Sequence, residues 1–143
     1  MGSKLFSKLR LRSLELENRI VVSPMCQYSA VDGAMNDWHL MHLGNLSVSG
    51  PGLVFVEATG VESRGRITPG CVGLHNDEQE ASQKKVLDFC RKHGKAKMGI
   101  QLAHAGRKAS TVPPWEGGTP LPPENGGSNG LSYATLGGFS QRV

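Results

Sequence analysis

Three short apolar runs, separated by two segments of helical character, constrain the fold of this chain more than any other feature. The runs lie at about residues 20–23, 53–56 and 98–103. The second is too continuously apolar for a strand that has one face in water. Strands that alternate with helices in this order form parallel sheets with right-handed crossovers. The sequence therefore predicts an α/β fold built on three parallel strands.

Residue types at the ends of the helical segments set their predicted limits. Asp37 is a good N-cap for a first helix over about residues 38–48. Asp77 with Glu80 three residues later resembles a capping box, and Gly94 is a natural C′ residue for that second helix. The i, i+3, i+4, i+7 spacing predicts that the second helix has one face made of Val86, Phe89, Cys90 and His93.

The two ends of the chain differ from this alternating pattern. Residues 9–16 alternate apolar and polar side chains, which is the period of a half-exposed strand or hairpin. From about residue 111 prolines alternate with glycines, and little apolar periodicity remains. We therefore divide the chain into an α/β part, residues 1–116, and a Pro/Gly-rich irregular or disordered tail, residues 117–143.

Composition excludes several classes of function. The net charge of +4 arises from 16 basic and 12 acidic residues, and the basic residues are scattered rather than gathered in the stripe typical of nucleic-acid binders. No apolar stretch is long enough to cross a bilayer or to form a secretory signal. Three cysteines at irregular spacing indicate neither a disulfide framework nor a zinc site. A reduced cytoplasmic protein that binds neither nucleic acid nor membrane is the simplest interpretation.

Polar groups follow each of the three predicted strands. They are residues 23–28 (Ser-Pro-Met-Cys-Gln-Tyr), residues 57–59, and the pair Gln101 and His104. Because the carboxyl ends of parallel strands meet on one side of a sheet, these groups could line a single pocket. Gln101 would offer a donor and an acceptor to a flat amide-rich cofactor, and Ala58 would leave room for it.

Several of these residues also have simpler interpretations. Cys26 could be a small buried apolar side chain, and Tyr28 could be a surface phenol. His39 and His42 lie three apart, but no carboxylate at matching spacing completes a zinc site. His104 and its cationic neighbours could serve only as part of the protein surface, or could form an internal salt bridge. A redox module built on Cys26 would need a lowered thiol pKa, and no nearby lysine or histidine in the sequence suggests one.

The same segments resemble the old yellow enzyme family of flavin-dependent ene-reductases, especially its bacterial, thermophilic-type branch. The motifs, in order along the chain, are Leu5-Phe6, Asn18-Arg19-Ile20-Val21, the run from Ser23 to Tyr28, Trp38-His39, Val56-Glu57-Ala58-Thr59, residues 65–70 and residues 99–108. This resemblance extends from about residue 5 to Glu116. It implies that residues 1–116 are the N-terminal part of an FMN-binding (β/α)8 TIM barrel and carry its first three strand–helix repeats.

The resemblance also implies roles for individual residues. The family transfers hydride from NADPH or NADH through FMN to an activated alkene. Cys26 matches a thiol that tunes the flavin and touches the substrate, and Tyr28 matches a phenol over the substrate pocket, so both are catalytic candidates. The residues that match flavin contacts are Ser23, Pro24, Met25, Cys26, Ala58 and Gln101.

A barrel of this type needs about 250 residues, so this chain supplies only part of the site. The family's paired substrate-binding residues, its tyrosine proton donor and its phosphate-binding groups belong to the part that is not matched here. Catalysis would then need a complementary chain, or this chain would act as part of a longer product. The alternative is a non-catalytic truncated fragment or interaction partner that does not bind FMN alone and self-associates through an exposed sheet edge.

Overall fold

A three-stranded parallel sheet covered by two helices forms the centre of the structure, a computed structural model that describes residues 3–122 and residue 124. The helices and strands, numbered along the chain, are β1 (Leu9–Leu11), β2 (Leu14–Leu16), β3 (Val21–Val22), α1 (Asp37–Val48), β4 (Leu53–Gly60), α2 (Asp77–His93) and β5 (Lys97–Ala103). Short 3-10 turns occupy Lys4–Phe6, Ser63–Gly65, Gly106–Lys108 and Pro114–Glu116.

The strand pairing confirms the predicted α/β arrangement. The parallel sheet has the order β3-β4-β5, and in the described part of the chain it stays open rather than closing into a barrel. A separate antiparallel pair, β1 with β2, shows that residues 9–16 form a hairpin, one of the two alternatives that their alternating pattern predicted. The core lies between the sheet and the helices and contains Leu43, Val54, Val56, Val86 and Cys90.

Strand β4 is longer than predicted and contains a bulge. It runs to Gly60 rather than ending at residue 56, so residues 57–59 lie inside the strand and not after it. Val56 pairs with Ile100 but Ala58 pairs with Gln101, which leaves Glu57 as the extra residue. The strand also gains a partner at its far end, where Gly60 donates its N–H to the carbonyl of Val72 (2.8 Å).

Both helices begin one residue earlier than predicted. Asn36, not Asp37, caps α1, and its side chain accepts from the N–H of Trp38. Asn76, not Asp77, caps α2 and accepts from the N–H of Gln79 at 2.9 Å. In each case the residue before the helix is an extended asparagine, and asparagine caps as well as aspartate does. The two aspartates occupy the first helical turn, where their charge favours the helix dipole.

Helix α2 buries a face different from the one predicted. Val86 and Cys90 are buried as expected, but Phe89 is 39% exposed and His93 is exposed. The rings of Phe89 and His93 are in tilted contact, with centroids 4.6 Å apart, and Phe89 lies beside Gly44 of α1. The remaining buried positions of α2 are taken by two glutamines, Gln79 and Gln83. Gln79 donates to the carbonyl of Asp32 and Gln83 to that of Gly73, so burial of these amides is compensated.

Gly94 ends α2 for a reason other than the one predicted. It is the C-cap with φ of −96°, so it does not supply the left-handed conformation of a C′ glycine. A Cβ at Gly94 would lie 2.5 Å from Oγ of Ser47 and 2.6 Å from the carbonyl oxygen of Ser47. The glycine therefore permits close contact between the ends of α1 and α2.

We expect Gly94→Ala to lower the free energy of unfolding by about 1–3 kcal/mol, the usual cost of an extra methyl group in a packed position. Its φ is allowed for alanine, so the loss would be steric. Urea unfolding followed by circular dichroism measures it. Lys95→Ala, at an exposed neighbouring position, serves as the control and should change stability little; equal losses in the two variants would contradict this explanation.

The C-terminal segment turns back on itself as far as it is described. Thr111 bridges to Pro120, and Val112 donates its N–H to the carbonyl of Thr119 at 2.9 Å. Most of the predicted tail, residues 117–143, lies outside the described residues. Among the helices of the described part, none combines the length and the apolar character needed to span a lipid bilayer.

Candidate functional site

The segment that leaves β3, residues 23–30, is held in place by hydrogen bonds from several directions; we call it the site loop. The N–H of Gln27 donates to Oε2 of Glu57 in β4 (3.1 Å). The indole N–H of Trp38 in α1 donates to Oε1 of Gln27 (3.1 Å). The N–H of Ala30 donates to the carbonyl of Gly70 (2.9 Å). These contacts fix the loop before any ligand is present.

Glu57 is the central anchor of the site loop. The bulge in β4 places this carboxylate at a buried position, only 4% exposed. Its Oε2 accepts from the site loop, and its Oε1 lies 3.5 Å from Nε2 of His39. The N–H of Asn36 donates to Nδ1 of His39, which leaves the ring proton on Nε2, facing the carboxylate. Glu57 thus accepts a backbone hydrogen bond on one side and faces an imidazole on the other, although within the described residues Nε2 of His39 makes no hydrogen bond.

His39 therefore has a structural role in this geometry. It caps the start of α1 and supports Glu57 rather than reaching solvent, since it is 1% exposed. Among residues 3–122 and 124 no group of three or more histidine, cysteine, aspartate or glutamate side chains is placed to hold a metal ion.

Cys26 and Cys71 form a pair of interacting thiols at the site loop. Cys26 is half-buried, and Cys71, in the segment after β4, is 1% exposed. Hydrogen bonding between the two sulfur atoms is the largest influence on both: it raises the pKa of Cys26 and lowers the pKa of Cys71 to about 6. Burial adds to the rise at Cys26. The N–H of Thr68 (3.4 Å) also donates to Sγ of Cys71 and favours its thiolate.

We expect Cys26→Ala to raise the pKa of Cys71 towards that of an ordinary cysteine, because the substitution removes the main donor to the Cys71 thiolate. The rise should be incomplete, since Thr68 still donates. Thiolate absorbance in the ultraviolet, followed against pH, measures the shift. Cys90→Ser is the matched control, because Cys90 hydrogen-bonds to Ser47 instead. A Cys71 titration that is unchanged in Cys26→Ala would contradict the pairing.

Tyr28 is positioned by strained backbone and by two neighbours. Its φ of +52° is left-handed, which a bulky residue adopts only when its surroundings hold it there. The ring meets Trp115 edge-on at 5.4 Å between centroids, and the backbone of Gly70 lies against the Tyr28 carbonyl. Burial, and then the charge of Cys26, raise the pKa of the phenol. Tyr28 is thus a neutral phenol, able to donate a hydrogen bond near neutral pH.

Ala58 and Gln101 lie side by side, one on each of two adjacent strands. They are register partners of β4 and β5, a pairing that depends on the bulge at Glu57. The side chain of Gln101 is exposed, and within the described residues its amide makes no hydrogen bond. A free amide beside a small alanine could bind the polar edge of a flat heteroaromatic ring. Ser23 and Met25 border a small cavity beside Glu57, and Pro24 is half-buried between them.

His104 makes a hydrogen bond to a carboxylate at the surface, close to one of its simpler interpretations. Its Nδ1 accepts the N–H of Gly106 (3.0 Å), so Nε2 donates to Oε1 of Glu62 at 2.5 Å. This hydrogen bond, with a further one from Arg64, lowers the pKa of Glu62.

Three contributors to the site were not assigned a role from the sequence: Cys71, Trp115 and Glu57 as an anchor. Cys71 and Trp115 are distant in sequence from the site loop. Only Glu57 carried a signal, as a charged residue directly after an apolar run, and it was expected at a strand end rather than in a bulge.

The chain is similar to flavin oxidoreductases in sequence. Residues 4–121 match the model of the NADH:flavin oxidoreductase / NADH oxidase family. An NADH:flavin oxidoreductase of Gibberella zeae is 50% identical over 114 residues, which are 80% of this chain and 27% of that protein. An NADPH dehydrogenase of Listeria monocytogenes is 52% identical over 109 residues, or 75% of this chain and 32% of that protein. The chain thus spans about a third or less of the length of these relatives.

Solved structures show the same fold. Morphinone reductase superposes with a TM-score of 0.67 at 30% identity, covering 73% of this chain and 27% of that one. The Old Yellow Enzyme from Pichia sp. AKU4542 superposes with a TM-score of 0.70 at 23% identity, covering 75% of this chain and 28% of that one, and this match concerns the fold alone. The open three-stranded sheet therefore corresponds to the N-terminal part of a TIM barrel. The chain belongs to the NADH:flavin oxidoreductase / NADH oxidase family, the family of the old yellow enzymes, and represents its N-terminal portion.

Proposed function

We propose that this chain contributes the flavin-ring side of an FMN-dependent oxidoreductase of the ene-reductase or NADPH dehydrogenase type. Bound FMN would supply the redox chemistry, taking hydride from NADPH or NADH and passing it to an activated alkene. The observation that carries the proposal is the unpartnered Gln101 amide beside Ala58, next to a site loop whose backbone is already fixed.

Each residue has a task that its position supports. Gln101 would donate to and accept from the polar edge of the ring, and residues 23–26 would bind the ring through their backbone. Cys26 would bring a neutral thiol to the ring, because hydrogen bonding to Cys71 raises its pKa. Tyr28 would present its phenol to the substrate. Donors near the ring stabilise the negative charge that reduction produces.

We infer further that the chain is related to the bacterial, thermophilic-type branch and acts in the cytoplasm. The branch is supported by the motifs from Ser23 to Tyr28 and from His104 to Lys108. The 52% identity to the Listeria NADPH dehydrogenase agrees with it.

FMN uptake tests the proposal. The chain is mixed with a polypeptide that comprises the Listeria NADPH dehydrogenase after its matched region, and quenching of flavin fluorescence and NADPH oxidation are recorded. We expect both signals in the mixture and neither with the separate polypeptides. Gln101→Ala should weaken FMN binding about tenfold, the loss of one to two hydrogen bonds. Lys84→Ala on the outer face of α2 is the control. A mixture that takes up no flavin would refute the proposal.

The second candidate is an interaction fragment that does not bind FMN alone. It is favoured by the outer edge of β5, where Leu102 is 60% exposed. A groove between β5 and α2 has an apolar floor that includes Leu87, Met98 and Ile100, and it is also bordered by charged side chains of α2. Unpaired strand edges beside apolar grooves attract further strands.

Size-exclusion chromatography separates the two candidates. If the chain self-associates through β5, it should elute as a dimer or a larger species. The variant Leu102→Lys, which places a charge at this edge, should elute as a monomer. A monomeric wild-type chain would reject the association role, and FMN uptake by the isolated chain would reject the fragment role as stated.

A further inference from the structure

Cys26 and Cys71 lie in two segments whose backbones are in direct contact. The carbonyl of Gly70 accepts the N–H of Ala30 (2.9 Å), and a Cβ at Gly70 would lie 2.5 Å from the carbonyl oxygen of Tyr28. The cysteine that follows Gly70 and the cysteine two residues before Tyr28 are thereby brought together. No motif in the sequence links these positions, which are 45 residues apart.

We propose that Cys26 and Cys71 are a reversible redox pair, which closes to a disulfide when the chain meets a small peroxide. The two thiols already interact in the reduced protein, so the site loop needs little movement to join them. Cys26 is the entry point because it is the more exposed sulfur, whereas Cys71 is 1% exposed. Cys71 is the resolving partner.

The chemistry balances with hydrogen peroxide as the oxidant. Hydrogen bonding between the sulfur atoms lets the pair lose its first proton more readily than an ordinary cysteine, and either sulfur can hold the charge. The resting charge lies on Cys71, so the Cys26 proton first passes along the hydrogen bond to Cys71. The Cys26 thiolate formed in this way attacks one peroxide oxygen, the O–O bond breaks, and hydroxide leaves. The Cys71 thiol then attacks the sulfur of the Cys26 sulfenic acid. The S–O bond breaks, the oxygen leaves as water, and the disulfide forms. One thiolate, one thiol and one peroxide thus give a disulfide, water and hydroxide, and two electrons pass from sulfur to oxygen.

Oxidation would remove the free thiol from the strand end where the flavin is proposed to bind. That consequence rests on the proposed function, but formation of the disulfide does not. Cys90 supplies an internal comparison, since it is fully buried in α2 and burial raises its pKa.

Peptide mapping of the full chain tests the proposal directly. The native chain is treated with hydrogen peroxide, blocked with iodoacetamide while unfolding, digested and analysed by mass spectrometry. We expect free thiols to fall from three to one and a Cys26–Cys71 cross-linked peptide to dominate. Dithiothreitol should reverse the change. Cys90→Ser should form the same cross-link, and Cys71→Ser should instead accumulate sulfinic acid at Cys26.

Two results would overturn the proposal. One is sulfinic acid at Cys26 of the wild-type chain while Cys71 stays free. The other is cross-linking of Cys26 to Cys90 as often as to Cys71, which would reflect unfolded chains. Because these readouts need no flavin, a chain that forms the cross-link but takes up no FMN in the mixture with the Listeria polypeptide would refute the proposed function alone.

Discussion

Replacing Glu57 with alanine should lower the free energy of unfolding by about 3 kcal/mol, among the larger effects of single substitutions. The variant leaves the N–H of Gln27 without its acceptor and removes the carboxylate that faces His39. Water cannot readily replace the lost partner of either group, because the site is buried: Glu57 is 4% exposed and His39 is 1% exposed. Urea unfolding with circular dichroism measures the loss.

Two matched variants identify its cause. Glu57→Gln keeps an oxygen that can accept the N–H of Gln27, so its free energy of unfolding should fall by about half as much as that of Glu57→Ala. Glu62→Ala removes an exposed carboxylate that is also paired with a histidine, and should change the free energy of unfolding little, because water replaces the lost partner. Equal losses in Glu57→Ala and Glu62→Ala would show that Glu57 is not an anchor.

Removing the charge of Glu57 should also change the pKa values of Cys26 and Cys71. The negative charge of Glu57 raises the pKa of Cys26 and of Cys71, so Glu57→Gln should lower both. A depressed pKa in the folded state contributes stability above the unfolded pKa, and this contribution is lost as pH falls through the folded value. The Cys71 contribution should therefore persist to a lower pH in Glu57→Gln than in the wild-type chain, as unfolding at several pH values would show.

The sequence was sufficient for the parallel arrangement because the apolar runs and helical segments carry local, periodic signals. Val54 and Val56 fill the core as their positions in an apolar run predict. Helix starts were placed within a residue, but the sequence offers asparagine and aspartate side by side at both, and only backbone geometry decides between them.

The site was less accessible to sequence reasoning, because its contacts join distant segments. Nothing local predicts that Glu57 occupies a bulge, since the extra residue is defined only by pairing with β5. Likewise Cys71 affects Cys26 only after the segment that follows β4 packs on the site loop. The motif resemblance named Cys26 and Tyr28 as candidates, and their roles stay predictions until flavin binding is measured.

Packing of that segment on the site loop leads to a final expected result: Gly70→Ala should cost about 2–3 kcal/mol, in the upper part of the range for overpacking. The new Cβ would lie 2.5 Å from the carbonyl oxygen of Tyr28 and 2.8 Å from its carbonyl carbon. Backbone atoms cannot turn aside as a side chain can, and Tyr28 is already held at a left-handed φ.

Gly65→Ala is the matched control, because the same methyl group meets a side chain there instead of backbone. Its Cβ would lie 2.7 Å from the ring of His104, which can swing into solvent and give up only its exposed hydrogen bonds with Glu62 and Gly106. We expect a loss below about 1 kcal/mol for this variant. Gly70→Ala alone should also slow formation of the Cys26–Cys71 cross-link, since it separates the two segments that carry the thiols. If both variants lose equal stability and cross-link at the wild-type rate, contact between Gly70 and Tyr28 does not position the site loop.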